Sequence, residues 1–335
     1  MKPIQILTVL LVVILCTSCE KDIEFTGETE EPMLVINSFI TPDSVITANI
    51  TKSKFFLDEN DDSGNFITVE NAEVRVYVND VFKEKMDYIS NGNYKASFAP
   101  AIGETIKLEV SAPGLNTAWC ETKIEDAAQI IVLDSTSKIT KSYPISNGYY
   151  DETPAAEAKD TIGYYYKIRH DFSLHFKDQE SGQNYYRLLV KLVISDEGNY
   201  NFEIYDFDFT DIVSGENADS EDNLSSESIY PNTYHVFSDE LFNGKEYPLK
   251  FSVTTEQIKY LPKNASIEGS QPTLKIVVEL QSISKSYYLY LKSRPSCDIE
   301  DVFAEPIQIH SNVHDGIGIL GSYTSCGTKE LTLSF

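Results

Sequence analysis

A side-chain alternation of period two runs through most of this chain and constrains its fold more than any other feature of the sequence. Between Ala72 and Val78, residues Val74, Val76 and Val78 fall on one side, with Arg75 and Tyr77 on the other. Between Glu104 and Ser111, residues Ile106, Leu108 and Val110 alternate with Lys107 and Glu109. Successive side chains of a strand point to opposite faces, so this pattern predicts half-buried antiparallel strands. Asn79-Asp80 and Asn91-Gly92 fall between such runs, and both pairs tolerate the positive φ that a two-residue hairpin turn requires.

Short strands at this rhythm from Met33 to Ile124 predict an immunoglobulin-like β-sandwich over residues 32–125. A larger antiparallel β domain is expected over 127–335, with a break near Ser142 to Asp160, where Pro, Gly, Ser and acids gather. Strand-like runs follow at Tyr164–Phe176, Tyr185–Ser195, Leu249–Thr254 and Thr273–Ser282. Gly215 to Ser228 is acidic and Ser-rich and reads as a long loop. Only Ser284 to Ser293 has helical character, with Tyr287, Tyr288 and Leu291 at i, i+1 and i+4. The expected fold class is therefore mainly β, in two parts, with one short helix.

The first 18 residues are read as a secretory signal. Lys2 precedes an apolar run from Ile4 to Cys16, which is short of the roughly 20 apolar residues that a membrane-spanning helix needs. Thr17 and Ser18 are small, and Cys19 follows at once. Small residues and then Cys form a lipobox, although Cys16 stands where Leu is usual and Leu15 lies one step earlier. Cleavage before Cys19 leaves 317 of the 335 residues. Lipid on Cys19 would hold the chain to a membrane, since two or more acyl chains give stable anchoring. Residues 19–31 then form an acidic tether.

A formal charge of −25 argues against nucleic acid as a partner, because phosphate backbones carry the same sign. With 41% hydrophobic and 12% aromatic residues the chain can still build real cores. Cys120, Cys297 and Cys326 remain beyond the anchor. Export to an oxidising compartment permits a bridge; Cys297 and Cys326, in the same half, are the candidate pair, which leaves Cys120 as a buried strand thiol. Spacing alone does not fix connectivity.

Several motifs tempt and then fail on context. Gly316 to Gly321 matches GxGxxG, but a dinucleotide site needs a helix after it and an acid about 20 residues on, and the chain ends at Phe335. These glycines are read as permitting turns and close backbone approach. Asp58 to Asp62 begins like a calcium loop, yet Ser63 stands where Gly is needed and Val69 where a bidentate Glu is needed. His310 and His314 have helical spacing in a segment that reads as strand and turn, with no third ligand. His170 and His175 should point to opposite faces of a strand. No catalytic constellation emerges and no cofactor or metal is implied, so the chain is expected not to be an enzyme. A carboxylate pair for glycoside hydrolysis stays open among so many acids. A C-terminal strand ending in Phe335 resembles a barrel-assembly signal, but acidic loops and a lipid anchor fit a transmembrane barrel poorly.

Four ordered blocks carry a resemblance: Gly182 to Leu188, Phe237 to Gly244, Val277 to Ser284 with Tyr287 to Leu291, and Phe303 to Pro306 through Ser311-Asn312 to Gly318. With the lipobox and the N-terminal sandwich they resemble an uncharacterised family of Bacteroidetes lipoproteins, domain of unknown function 4249. That resemblance implies a cell-envelope lipoprotein, often found beside TonB-dependent outer-membrane transporters, and it brings no established active site. In such bacteria, acids after the lipid cysteine, here Glu20-Lys21-Asp22, are similar to a surface-export signal. Asp43-Ser44-Val45, Asp134-Ser135-Thr136 and Asp160-Thr161-Ile162 are similar to O-glycosylation tripeptides. The expected function is an outer-membrane-anchored, non-enzymatic binding or accessory partner of a TonB-dependent transporter in nutrient uptake. A surface glycan or peptide hydrolase and an adhesion or structural envelope module are the alternatives.

Overall fold

The computed structural model describes residues 31–54, 67–146, 149–150, 161–180, 182–195, 199–203, 207–209, 211–214, 234–261, 273–294 and 308–333. Among the described residues nine strands make the first half: β1 (Leu34–Ile40), β2 (Thr47–Lys52), β3 (Ile67–Thr68), β4 (Glu73–Val78), β5 (Val81–Lys85), β6 (Asp87–Ser90), β7 (Asn93–Lys95), β8 (Thr105–Ser111) and β9 (Ala118–Lys123). The expected hairpins form where the Asn pairs stand. Asn79 and Asp80 close β4 onto β5 with φ of 49° and 65°, and Asn91 and Gly92 close β6 onto β7 with φ of 51° and 75°. Both residues of each pair have positive φ, as a type I′ turn demands. Val74, Val76, Ile106, Leu108 and Val110 are buried in one core with Leu34, Ile36 and Ile50.

The second half holds longer strands: β10 (Gln129–Ser146), β11 (Tyr149–Tyr150), β12 (Thr161–Lys177), β13 (Tyr185–Ser195), β14 (Asn199–Glu203), β15 (Val236–Ser238), β16 (Glu246–Tyr260), β17 (Thr273–Ile283) and β18 (Ile317–Leu333), with helix α1 (Lys285–Ser293) before β18. A four-stranded sheet in the order β11-β10-β12-β16 faces the large sheet across a second core of Phe172, Phe176, Phe237, Phe251, Leu188 and Leu280. The expected break at Ser142 is corrected in part, because residues 142–146 continue β10. Their partners on β12 reach to Thr161, and Pro144 costs the ladder little on a strand that is open on one side.

The sheet also does not stop at the expected boundary between residues 125 and 127. One ten-stranded sheet runs β14-β13-β17-β18-β1-β2-β7-β6, with β15 on β13 and β3 on β2. Its β1-β2-β7-β6 part closes the N-terminal sandwich against β5-β4-β8-β9, and its β14-β13-β17-β18 part closes the C-terminal one. The junction is β18. Its start pairs in parallel with β1, Val35 opposite Ile317 through Ile40 opposite Ser322, and its remainder pairs antiparallel with β17. Leu320 and Val313 thereby lie in the N-terminal core; burying a side chain such as Leu320 stabilises by roughly 2 kcal/mol.

The GxGxxG glycines explain themselves at this junction. A Cβ on Gly316 would meet Leu34 O at 2.7 Å, one on Gly318 would meet Ile36 O at 2.1 Å, and one on Gly321 would meet the Tyr287 ring at 3.0 Å. They permit close approach of β18 to β1 and α1, the structural role expected of them. Asn312 ties the same seam: its Nδ2 donates to Glu121 O at 3.1 Å and Leu320 O at 3.0 Å, while its Oδ1 accepts from Leu320 N–H at 2.9 Å.

Helix α1 forms where expected. The Ser284 hydroxyl caps it by accepting from Tyr287 N–H, and Tyr287 and Leu291, one turn apart, are buried beneath it. The same hydroxyl accepts from Ser322 N–H at 3.1 Å, so the cap also fixes the helix to β18.

Candidate functional site

Where the two sandwiches meet, the link from β9 to β10, the loop from β12 to β13 and the start of α1 leave a cavity of about 200 Å³. Glu125 and Asp126 come from the link, Gln183, Asn184 and Tyr185 from the loop and the start of β13, and Lys285 from the helix start. Carboxylates, carboxamides, a hydroxyl and one ammonium converge on a small volume at a domain junction, a common place for a binding site. Thr324 and Ser322 hold the link in place by donating to Glu125 O at 2.6 Å and to Lys123 O at 2.5 Å. Three of the four sequence blocks meet here: Gly182–Leu188 and Val277–Ser284 line the cavity, and Phe237–Gly244 backs it.

Behind the wall residue Tyr186 lies a buried carboxyl pair. Asp178 Oδ1 accepts from the Tyr186 hydroxyl and from Asn184 Nδ2 at 3.2 Å, and its Oδ2 accepts from Gly244 N–H at 2.7 Å. Burial and this bond to Asp178 push the Tyr186 hydroxyl well above its usual range. Asp239 is fully buried, and its two carboxylate oxygens have no donor. Burial first, and then the neighbouring Asp178, raise its pKa above the usual carboxylate range, while the nearby Asn184 backbone acts the other way. A carboxyl with a raised pKa beside a second carboxyl is a common element of acid–base catalysis. Here both are shut away, with Asp178 only 2% and Asp239 0% exposed, and a general acid must reach the atom it protonates. The pair stitches the loop at 178–184 to the loop at 239–245.

His235 adjoins the same core, stacked on Phe207 with ring centroids 3.7 Å apart. Burial, and then the Arg187 guanidinium, push its imidazole down to about 4. A histidine depressed in the folded state contributes stability that is fully present above its unfolded pKa, near 6.5, and lost as pH falls from there toward the folded value. We expect the folded chain to lose up to about 3 kcal/mol between pH 6.5 and 4 through this residue. Asn tolerates the φ of 50° at this position. His235→Asn should therefore flatten that part of the Tm-versus-pH curve, and an acid limb as steep as that of the wild type would refute the assignment.

A second concavity, of about 330 Å³, opens on the outer face of β10, β12 and β16. Its charges are mutually neutralised. Arg169 meets Asp171 at 2.6 Å and Asp208 at 2.7 Å, and Lys138 meets Asp171 at 3.5 Å. Such exposed pairs contribute little each, and the groove reads as a solvated salt-bridge surface.

The residues singled out in the sequence are scattered. His170 is buried between Ser137 Oγ and Thr255 Oγ1, each at 2.8 Å, whereas His175 faces Asp134 and Glu246 on the opposite side of β12. His314 stacks on Trp119 with centroids 4.0 Å apart, while His310 N–H donates to Ser293 Oγ at 2.7 Å. Among the described residues no group of three or more His, Cys, Asp or Glu could hold a metal ion. Cys120 is a buried free thiol, pushed up to about 12 by burial. Cys326 also stands as a free thiol, accepting from Ala128 N–H at 3.2 Å and lying 3.3 Å from Ser282 Oγ. Its expected partner Cys297, the anchor Cys19 and the Asp58–Asp62 loop lie outside the described residues. The cavity residues were missed because 52 acids leave no single carboxylate conspicuous; the one usable signal was that Asn184, Tyr186 and Asp239 all fall in the family blocks.

The family described as Domain of unknown function (DUF4249) matches residues 20–328. A comparison with curated proteins finds no match. Among solved structures, the crystal structure of a protein provisionally described as membrane anchored, from Corynebacterium diphtheriae, aligns with 88% of this chain at 11% identity and a TM-score of 0.20. The chain spans 60% of that protein, and at that score the likeness carries no argument. Among the described residues no helix is long and apolar enough to cross a membrane.

Proposed function

The chain belongs to this family, and on that premise we propose that it is an outer-membrane lipoprotein, anchored through Cys19, that serves a TonB-dependent transporter as a non-enzymatic binding or accessory partner in nutrient uptake. The observation that carries the reading is the place of Cys19. A signal-like run and small residues precede it, and the family match begins at the next residue, Glu20. In this reading the acidic tether holds two fused sandwiches off the bilayer, and a lipid supplies the membrane affinity.

The junction cavity supports recognition rather than turnover. Its lining is rich in groups that hydrogen-bond. At about 200 Å³ it is smaller than the roughly 300–1,000 Å³ of pockets that enclose whole drug-sized ligands. It suits one polar group of a nutrient or the tip of a partner's loop.

Replacing Cys19 with Ala is expected to move the chain out of the membrane fraction and to remove the acyl mass from its N-terminal peptide. Tagged wild type purified from native membranes should bring down a transporter, and deletion should lower uptake of that transporter's substrate. A C19A chain that still sediments fully with membranes would end the anchoring reading. Retained anchoring, with no transporter recovered and uptake unchanged, would end the accessory reading alone.

A further inference from the structure

We propose that the open edge of β10 is a self-association surface, where two copies of this chain pair β10 against β10, antiparallel, about a two-fold axis through Thr136. Among the described residues β10 pairs with β12 along one side, and on the other side only Ile145 and Ser146 pair, with β11. Among the described residues the rest of that edge has no strand partner, and its backbone N–H and C=O groups are a template for another strand. Apolar side chains are exposed beside it, Val132 at 41% and Ile139 at 55%.

The occupant follows from self-complementarity. An antiparallel pairing centred on Thr136 sets residue 136 − k opposite 136 + k, and opposed residues share a face. Asp134 then meets Lys138, Leu133 meets Ile139, and Ser135 meets Ser137, each pair occurring twice across the axis. Asp134 and Lys138 are both largely exposed in one chain, at 68% and 64% of their side chains. Lysine on an open edge ordinarily deters pairing; here an acid at the symmetric position answers it. Register irregularities lie at Ile130/Val132 and Ile139/Lys141, so the stretch between Val132 and Ile139 is the regular part of the strand. All the pairs named fall within it.

Charge does not oppose pairing along this edge. The chain carries −25 in all, so two copies repel over most of their surfaces. β10 holds one acid, Asp134, against two bases, Lys138 and Lys141, so along this edge the strand itself adds no net negative charge to that repulsion. Screening the long-range repulsion should help, and association is expected to tighten as salt rises from about 0.01 to 0.15 M.

The test uses the full chain purified in mild detergent, with sedimentation velocity across the micromolar range. Wild type should show a concentration-dependent dimer. D134K and K138D each set like charges face to face in both pairs, and each should weaken the dimer at least tenfold. The exchange D134K/K138D should restore it. T136C should form an intermolecular disulfide on mild oxidation that wild type lacks, since directly opposed strand residues lie within disulfide reach. Far-UV circular dichroism and Tm confirm that each variant folds. A monomer at every concentration overturns the proposal. So does a dimer indifferent to both single reversals, or a double exchange that leaves association as weak as the singles.

Discussion

Gly318→Ala is expected to destabilise both halves of the molecule together, by about 4 kcal/mol or more. The φ of Gly318 is 114°, and a Cβ there would sit 2.1 Å from Ile36 O, with Ile36 C and N also within 3.0 Å. Those atoms are β1 backbone, opposite Gly318 in the parallel ladder, and they can yield only if β18 moves off β1. That movement opens the seam through which Leu320 enters the N-terminal core. Gly327→Ala is the matched control. Its φ of 108° carries the same kind of backbone strain, but nothing lies within 4 Å of the added carbon, so about 1–3 kcal/mol is expected. The difference between the two variants isolates the collision.

Urea titration followed by circular dichroism and by fluorescence reads this directly. The chain has one tryptophan, and Trp119 stacks on His314 at the seam, exchanging backbone hydrogen bonds with it at 3.1 and 2.8 Å. In wild type the two signals should report one transition, because the halves share a strand. In Gly318→Ala both midpoints should fall together. A variant whose fluorescence midpoint falls while the β signal of the C-terminal half holds would show that the sandwiches are independent, contrary to the sheet described above.

What the sequence made legible follows from range. Alternation at Val74/Val76 and at Ile106/Leu108/Val110, the turn pairs at Asn79 and Asn91, and the short helix within Ser284 to Ser293 are decided within a few residues, and each stands where the pattern placed it. The pairing of Val35 with Ile317 spans nearly the whole chain. No local periodicity records it, and a boundary between 125 and 127 was the natural reading. Its trace was the run of glycines from Gly316 to Gly321, which signalled close backbone approach without saying to what. The junction cavity was hidden for the same reason, since Asp126, Asn184 and Lys285 come together only once β18 has joined the halves.

The carboxyl pair behind that cavity yields the second large expectation, two substitutions of opposite sign on neighbouring acids. Asp178→Ala should cost about 3–5 kcal/mol, since it strands three donors, the Tyr186 hydroxyl, Asn184 Nδ2 and Gly244 N–H, in a buried place. Asp239→Asn should instead stabilise at neutral and alkaline pH, by about 1–3 kcal/mol. The sign follows from linkage. Asp239 has a folded pKa raised above its unfolded value, near 3.9. Its contribution is therefore fully present below that unfolded value and is lost as pH rises through the folded one. Asn keeps the shape, carries no charge to bury, and offers an N–H toward Asp178 at every pH. The gain should be near zero at pH 4 and grow toward pH 8. His235 titrates alike in both proteins and cancels from the difference. Urea titrations of wild type and Asp239→Asn at the two pH values decide it, and equal destabilisation at both would mean that Asp239 is an ionised partner in the native state after all.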